Sequence, residues 1–193
     1  MSCKSFFTAA LVAAVSFSAQ ATQIDFESTG SLNNYNALDY AIDGFVFNQT
    51  LDNIDIGAGA PWSGTGPAHS GRYAALNNYS GAGEITLQGG GTFSFQDMWL
   101  RGWYNGSSFV TVSGLLNGVQ VGSVSGVLGS SWANYAGNFS TIDTLRISTN
   151  GHFLVDDISL NAAAVPEPET YAMLLAGLGL LGGMARRKKR LQK

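Results

Sequence analysis

The sequence predicts an all-β fold: a jelly-roll-like β-sandwich over residues 22–164, with a signal peptide before it and one transmembrane helix after it. Three observations support this. Val, Ile, Phe and Trp alternate with polar residues along several short runs, which is the period of a strand buried on one face. Glycine-containing turn signals separate those runs. No stretch between Thr22 and Ala164 carries a long apolar series at helical spacing.

Residues 1–21 open with Lys4 and continue as an apolar run from Phe6 to Phe17, broken by Thr8 and Ser16. Ala19-Gln20-Ala21 follows, with small residues at the spacing a signal peptidase accepts. This is a secretory signal pattern, and the run falls short of the roughly 20 residues a membrane span needs. The expected partners are the secretion machinery and a signal peptidase cutting after Ala21. Cys3, the one cysteine, lies in this segment. The mature domain therefore has no disulfide, no thiol chemistry and no Cys-ligated metal.

The strands follow. Ile24-Asp25-Phe26-Glu27 opens the domain, and Phe93-Ser-Phe95-Gln-Asp97-Met-Trp99 alternates, as do Phe109 to Ser113 and Val119 to Val124. Thr141 to Ile147 and His152 to Leu160 complete the pattern. Trp99 continues the Phe93, Phe95 series and is expected in the core. Asn117-Gly118 and Asn150-Gly151 read as tight turns, since the favoured hairpin turn needs positive φ at both central residues. The glycines from Gly57 to Gly71 mark one long loop, ordered by Trp62.

Charge excludes one class of function. Between Thr22 and Ala164, nine Asp and two Glu face three Arg and no Lys, a net charge of −8. Binding to nucleic acid needs phosphate-neutralising basic residues, so no nucleic-acid partner is expected. Catalysis finds little support either. His69 and His152 are the two histidines, no nucleophile elbow or His-Glu-x-x-His is present, and nothing sets Glu27 opposite Glu84 as a glycosidase pair. A noncatalytic domain is expected, with a secreted polysaccharide hydrolase as the alternative.

Sugars stack their apolar faces on aromatic rings, which makes Trp62, Trp132 and Tyr135 the candidate carbohydrate-binding residues. Asp25, Glu27, Asp156 and Asp157 are candidate ligands for a structural calcium, provided the first and last strands lie side by side; calcium takes six to eight oxygen ligands.

The C-terminal end has three parts. Val165-Pro166-Glu167-Pro168-Glu169-Thr170 (residues 165–170) is an extended linker, because two prolines deny the backbone its ladder bonds. Residues 171–185 are an apolar run of about 22 Å as a helix, short of the roughly 30 Å hydrocarbon core unless Tyr171 and snorkelling Arg186 and Arg187 extend it. Residues 186–193 are a basic tail, which the positive-inside rule keeps cytoplasmic. A simple single-pass anchor is the alternative reading of this end.

The order Val165-Pro166-Glu167-Pro168, apolar helix, Arg186-Arg187-Lys188-Lys189-Arg190 resembles the PEP-CTERM sorting signal of exported proteins in Gram-negative bacteria. The resemblance implies recognition and processing by exosortase at Pro166-Glu167-Pro168. It also implies residence in the inner membrane during sorting, with the β domain on the periplasmic side, and later release to the cell surface or matrix, where exopolysaccharide is a possible partner. The pattern from Phe93 to the Asp-Asp-Ile strand is similar to lectin-like and carbohydrate-binding-module jelly rolls, which implies a polysaccharide-binding or structural role.

Overall fold

The computed structural model describes residues 21–27, 35–37, 41–48, 51–78, 82–104, 108–162 and 174–179. Ala19–Ala163 form one compact unit, and residues 1–18 and 164–193 fall outside it. The signal segment before Ala21 and the sorting residues Val165, Pro166, Glu167, Pro168, Arg186 and Arg187 lie outside the described residues. Of the expected transmembrane helix, residues 174–179 are helical, and Leu174, Leu175 and Leu178 are exposed. Among the described residues no helix is long and apolar enough to cross a membrane.

The compact unit is a two-sheet β-sandwich. In chain order its strands are β1 (Ala21–Ile24), β2 (Tyr35–Ala37), β3 (Ala41–Ile42), β4 (Phe45–Phe47), β5 (Leu51–Asp55), β6 (Tyr73–Asn77) and β7 (Gly83–Leu87). Then come β8 (Phe93–Gly102), β9 (Ser108–Leu116), β10 (Val119–Leu128), β11 (Ala133–Ile142), β12 (Thr144–Thr149) and β13 (Phe153–Ala162). One sheet runs β11-β8-β13-β6-β5-β2 with β1 also paired to β13; the other runs β10-β9-β12-β7-β4-β3. The pairs are antiparallel.

Between the sheets lies the core. Phe45 meets Phe93 edge to face at 5.3 Å, and Phe26 meets Phe47 at 5.8 Å. Ile85, Leu100, Val112, Leu145, Phe153 and Val155 are fully buried around them. Such edge-to-face pairs add to the burial of the rings themselves. With no disulfide in the domain, this packing carries the fold.

Asn117 and Gly118 have φ of 52° and 77° and join β9 to β10 as the two-residue turn the sequence indicates. Asn150-Gly151 differs: neither residue has positive φ, and the Asn150 side chain instead accepts a hydrogen bond from the Phe109 N–H at 3.0 Å. Asp43-Gly44, with φ of 49° and 81°, forms a second tight hairpin turn between β3 and β4.

Trp99 is the clearest departure from the simple alternation. Ser159 pairs with Asp97 and Leu160 with Phe95, so β8 holds one extra residue at Gln96 relative to β13. A bulge of this kind reverses the facing of everything beyond it. Phe93 and Phe95 point inward, but so do Met98 and Leu100, and Trp99 turns to the other face, half-buried.

Close packing near β10 depends on small residues. A Cβ at Gly114 would lie 2.7 Å from Ile142 Cγ2 and 2.8 Å from Phe139 Cδ2. Overpacking of this kind costs about 1–3 kcal/mol. Gly114→Ala should therefore lower the thermal midpoint by several degrees. Gly129→Ala, with nothing within 4 Å of its Cβ, should leave it nearly unchanged. Calorimetry on the two variants makes the comparison, and equal midpoints would show that Phe139 moves aside freely.

Candidate functional site

The outer face of the larger sheet carries a second, smaller core. Ile54, Ile56, Ala74, Leu76 and Leu154 form it, and Trp62, Ala68, Trp103 and Trp132 pack against it half-buried. These residues come together because alternation along β5, β6 and β13 sends every second side chain outward, where the loop from Gly57 to Arg72 covers them. A short 3-10 turn at Ser63–Thr65 shapes that loop.

An acidic pair fastens the loop to the sheet. Asp156 pairs with Trp99, yet the next register pair is Ser159 with Asp97, so β13 bulges at Asp157, whose φ is 46°. The bulge turns both carboxylates toward the loop. Asp156 Oδ2 accepts the backbone N–H groups of His69 and Ser70 at 3.0 and 3.1 Å, and its Oδ1 accepts the Asp157 N–H at 2.8 Å. Asp157 Oδ1 accepts from Ser70 Oγ and from Gln23 Nε2 of β1, both at 2.9 Å. Its Oδ2 receives His69 Nδ1 at 2.5 Å.

The remaining contacts extend the clamp. His69 stacks on Trp99 at 3.9 Å with 17° between the planes, and meets Trp132 edge-on at 6.0 Å. Trp132 Nε1 donates to the Pro67 carbonyl at 3.0 Å. Arg101, almost fully buried, donates from Nη2 to the Thr65 carbonyl and lies 5.2 Å from the Trp132 ring, a cation–π distance. Glu27 Oε1 accepts the Arg72 and Tyr73 N–H groups at 2.6 and 2.7 Å.

The sequence candidates fall into place as follows. Trp62 and Trp132 border the same outer cluster, joined there by Trp103, which lies 5.8 Å from Trp62 and 4.8 Å from Tyr104. Tyr104 is 48% exposed. Tyr135 is not with them: it is buried in the main core, its ring over Gly126 of β10. Ala133 to Phe139 crosses a bulge that its sequence does not advertise, and Asn134 takes the outward position opposite Trp99.

The four candidate calcium ligands are drawn apart in function. β1 does pair with β13, Ile24 opposite Ile158. Asp156, Asp157 and Glu27, however, are occupied by protein N–H and O–H donors, and Asp25 Oδ1 accepts the Glu27 N–H at 3.1 Å. Among the described residues no group of three or more His, Cys, Asp or Glu is placed to hold a metal ion. As arranged, the residues do not fit a calcium cage; hydrogen-bond donors take the oxygens that an ion would need.

Ser70, His69 and Asp157 do meet, but in the wrong order for nucleophilic chemistry. Both the hydroxyl and the imidazole reach the same carboxylate, so no Ser–His bond forms to activate the oxygen. Glu84 pairs with Arg146 in the smaller sheet at 2.7 Å, remote in function from Glu27.

Comparisons with known proteins agree with both halves of the chain. Residues 164–190 match the PEP-CTERM protein-sorting motif, so the chain carries an exosortase sorting signal. Among solved structures, a DUF4465 family protein from Bacteroides caccae aligns 98% of its chain with 73% of this one at 12% identity and a TM-score of 0.53, which shows a shared fold. The C-terminal family 22 carbohydrate-binding module of Xyn10B from Clostridium thermocellum aligns over 76% of this chain and 95% of its own, at 14% identity and a TM-score of 0.44. No curated protein matches the chain in sequence.

Burial pushes the Asp156 carboxyl up to about 7; the N–H group of Ser70 opposes this, the charge of Asp157 adds to it, and the Asp157 and His69 N–H groups oppose it again. An unfolded Asp titrates near 3.9. Between about pH 4 and about 7 the folded domain thus holds a proton that the unfolded chain has released, so this group's contribution to stability falls as pH rises through that window. Asp156→Asn removes the exchange, while leaving one N–H without its acceptor. The thermal midpoint of the native protein relative to this variant should fall by several degrees between pH 4.5 and pH 7.5; parallel curves would mean that Asp156 is ionised throughout.

Proposed function

We propose that this is a noncatalytic, exosortase-sorted surface or matrix protein whose sandwich binds a neutral polysaccharide across the tryptophan-bearing face of the larger sheet. The observation that supports it is the gathering of Trp62, Trp99, Trp103 and Trp132 on one face, half-buried, with Tyr104 exposed beside them. Held rings with one accessible side suit the apolar faces of sugars, and little side-chain entropy is lost when they bind. Trp62 Nε1 is enclosed with no hydrogen-bond partner among the described residues, and a sugar hydroxyl is the kind of group it lacks.

The charges favour an uncharged glycan. The domain's three arginines are each engaged: Arg72 with Asp55 at 2.7 Å, Arg146 with Glu84, and Arg101 beneath the loop. An acidic polysaccharide would meet a domain of net charge −8 with no uncommitted cation. A polysaccharide hydrolase is disfavoured by the two glutamates, each already bonded in a different sheet.

Two experiments test this reading. Titrating neutral glucans, mannans and the host's own exopolysaccharide should give saturable retention without product release. Tyr104→Ala should weaken it on the order of tenfold, equivalent to about 1.4 kcal/mol, with an unchanged melting curve. Product release would instead make it a hydrolase, and no retention of any glycan would leave a purely structural role.

The tail is tested separately. Replacing Pro166-Glu167-Pro168 by three alanines should leave full-length protein in the inner membrane with its β domain open to periplasmic protease, while the native chain appears outside with its tail removed. Equal masses for the two exported proteins would make the tail a simple anchor.

A further inference from the structure

Strand β10 is the terminal strand of the smaller sheet, ten residues long, and its outer edge faces no other strand. Natural edges are normally blunted by a Lys, a Pro, a bulge or short length. The described strands at the opposite edges, β2 and β3, span three and two residues. β11, the long edge of the other sheet, is broken by two register shifts. β10 has one irregularity, between Gln120 and Gly122, and from Gly122 to Leu128 its register against β9 is continuous. It contains no proline, and no charged residue occurs anywhere from Gly102 to Ile142.

The sequence of this edge is a palindrome. Val121-Gly122-Ser123-Val124-Ser125-Gly126-Val127 reads the same from either end. An antiparallel pair about a two-fold axis places residue i of one strand opposite residue j of the other and j opposite i, so a palindrome sets every residue against its own kind. We propose that β10 pairs with β10 of a second copy of this chain, antiparallel about an axis through Val124, joining two six-stranded sheets into one. Val121 then lies opposite the partner's Val127, Gly122 opposite the partner's Gly126, and Ser123 opposite the partner's Ser125.

The faces agree with this register. Val121, Ser123, Ser125 and Val127 are all exposed, with Val121 at 52% and Val127 at 65%. Phe109 pairs with Val127 within the sheet and is 56% exposed. Pairing covers a valine couple at each end, flanked by Phe109, and sets serine hydroxyls together at the centre. Such cross-strand pairs are the unit of sheet stability. This inference does not depend on the glycan reading: it concerns the smaller sheet, whereas the tryptophans lie on the larger one.

Cross-linking reads the register directly. Val121→Cys and Val127→Cys are made separately in the full chain carrying Cys3→Ser, purified in detergent and mixed under oxidising conditions. Opposed positions fall within the roughly 4.4–6.8 Å between Cα atoms that a disulfide accepts. Like positions in the two copies stand six residues apart, about 20 Å along the strand. The mixture should yield a covalent dimer with one chain of each kind, and neither variant alone should. A mixture without dimer, or equal dimer from all three samples, overturns the pairing. Adding Ser123→Lys and Ser125→Lys crowds four ammonium groups at the axis and should reduce the cross-linked fraction at least tenfold, with unchanged thermal melting because both side chains face solvent. Undiminished cross-linking with those lysines present also overturns it.

Discussion

The bulge at Asp156 and Asp157 sits at the mechanical centre of the domain, in the one strand that β1, β6 and β8 all pair with. A regular strand would send these two carboxylates to opposite faces. One would enter the hydrocarbon core, where an unpaired charge is prohibitively costly. The extra residue, with Asp157 in the left-handed region, directs both toward the loop and Gln23 instead. Asparagine and aspartate tolerate that conformation better than other side chains do. From this one irregularity follow the docking of the loop, the placement of His69 against Trp99, and the anchoring of the first strand. The aromatic face exists because the loop is held over it.

How much of this was legible in the sequence depends on which residue is asked about. The second-half strands, the turn at Asn117-Gly118 and the adjacency of first and last strands follow from period-two patterning and turn chemistry, which are local signals. Asp43-Gly44 carried the same turn signal and lay between Ala41-Ile42 and Phe45-Phe47, runs too short to stand out by alternation. Trp99 was misplaced because a single inserted residue at Gln96 reverses parity, and no residue type announces a bulge of this kind. Tyr135 shows the same limit: a tyrosine in a run of Asn, Ala and Gly reads as surface, but Gly126 on the facing strand leaves a ring-sized space for it.

The acidic pair illustrates a different limit. Asp-Asp on a strand marks a polar need, and the sequence made that need visible. Which chemistry meets it is decided by chain that lies far away, Gln23 on one side and His69-Ser70 on the other. Backbone N–H groups are present in every loop and leave no mark in a sequence, so an ion and a loop are indistinguishable at that level. Once the loop is in place, adding calcium would mean giving up several charge-assisted hydrogen bonds, each stronger than a neutral one.

A domain without disulfides can still hold its terminal strand, and the entropy of loop closure explains why. Bringing Gln23 to Asp157 closes 134 residues, while bringing His69 to it closes 88. The closure cost rises only logarithmically, about 0.6 kcal/mol per doubling of length. Once the sheet has formed around β13, the first strand therefore adds little further entropic cost, beyond fixing its own backbone, and gains four register pairs and a hydrogen bond to a buried carboxylate. The strands that must be paired first are those flanking β13, whose contacts are equally distant in sequence. Strand pairing of this range is slow to form, so the exported chain passes through a period in which its edges are unpaired. The uncharged stretch from Gly102 to Ile142 is the part exposed to other chains in that period, and its glycines at 114, 122, 126 and 137, each seated under an aromatic ring in the folded domain, weaken its β propensity until those rings arrive.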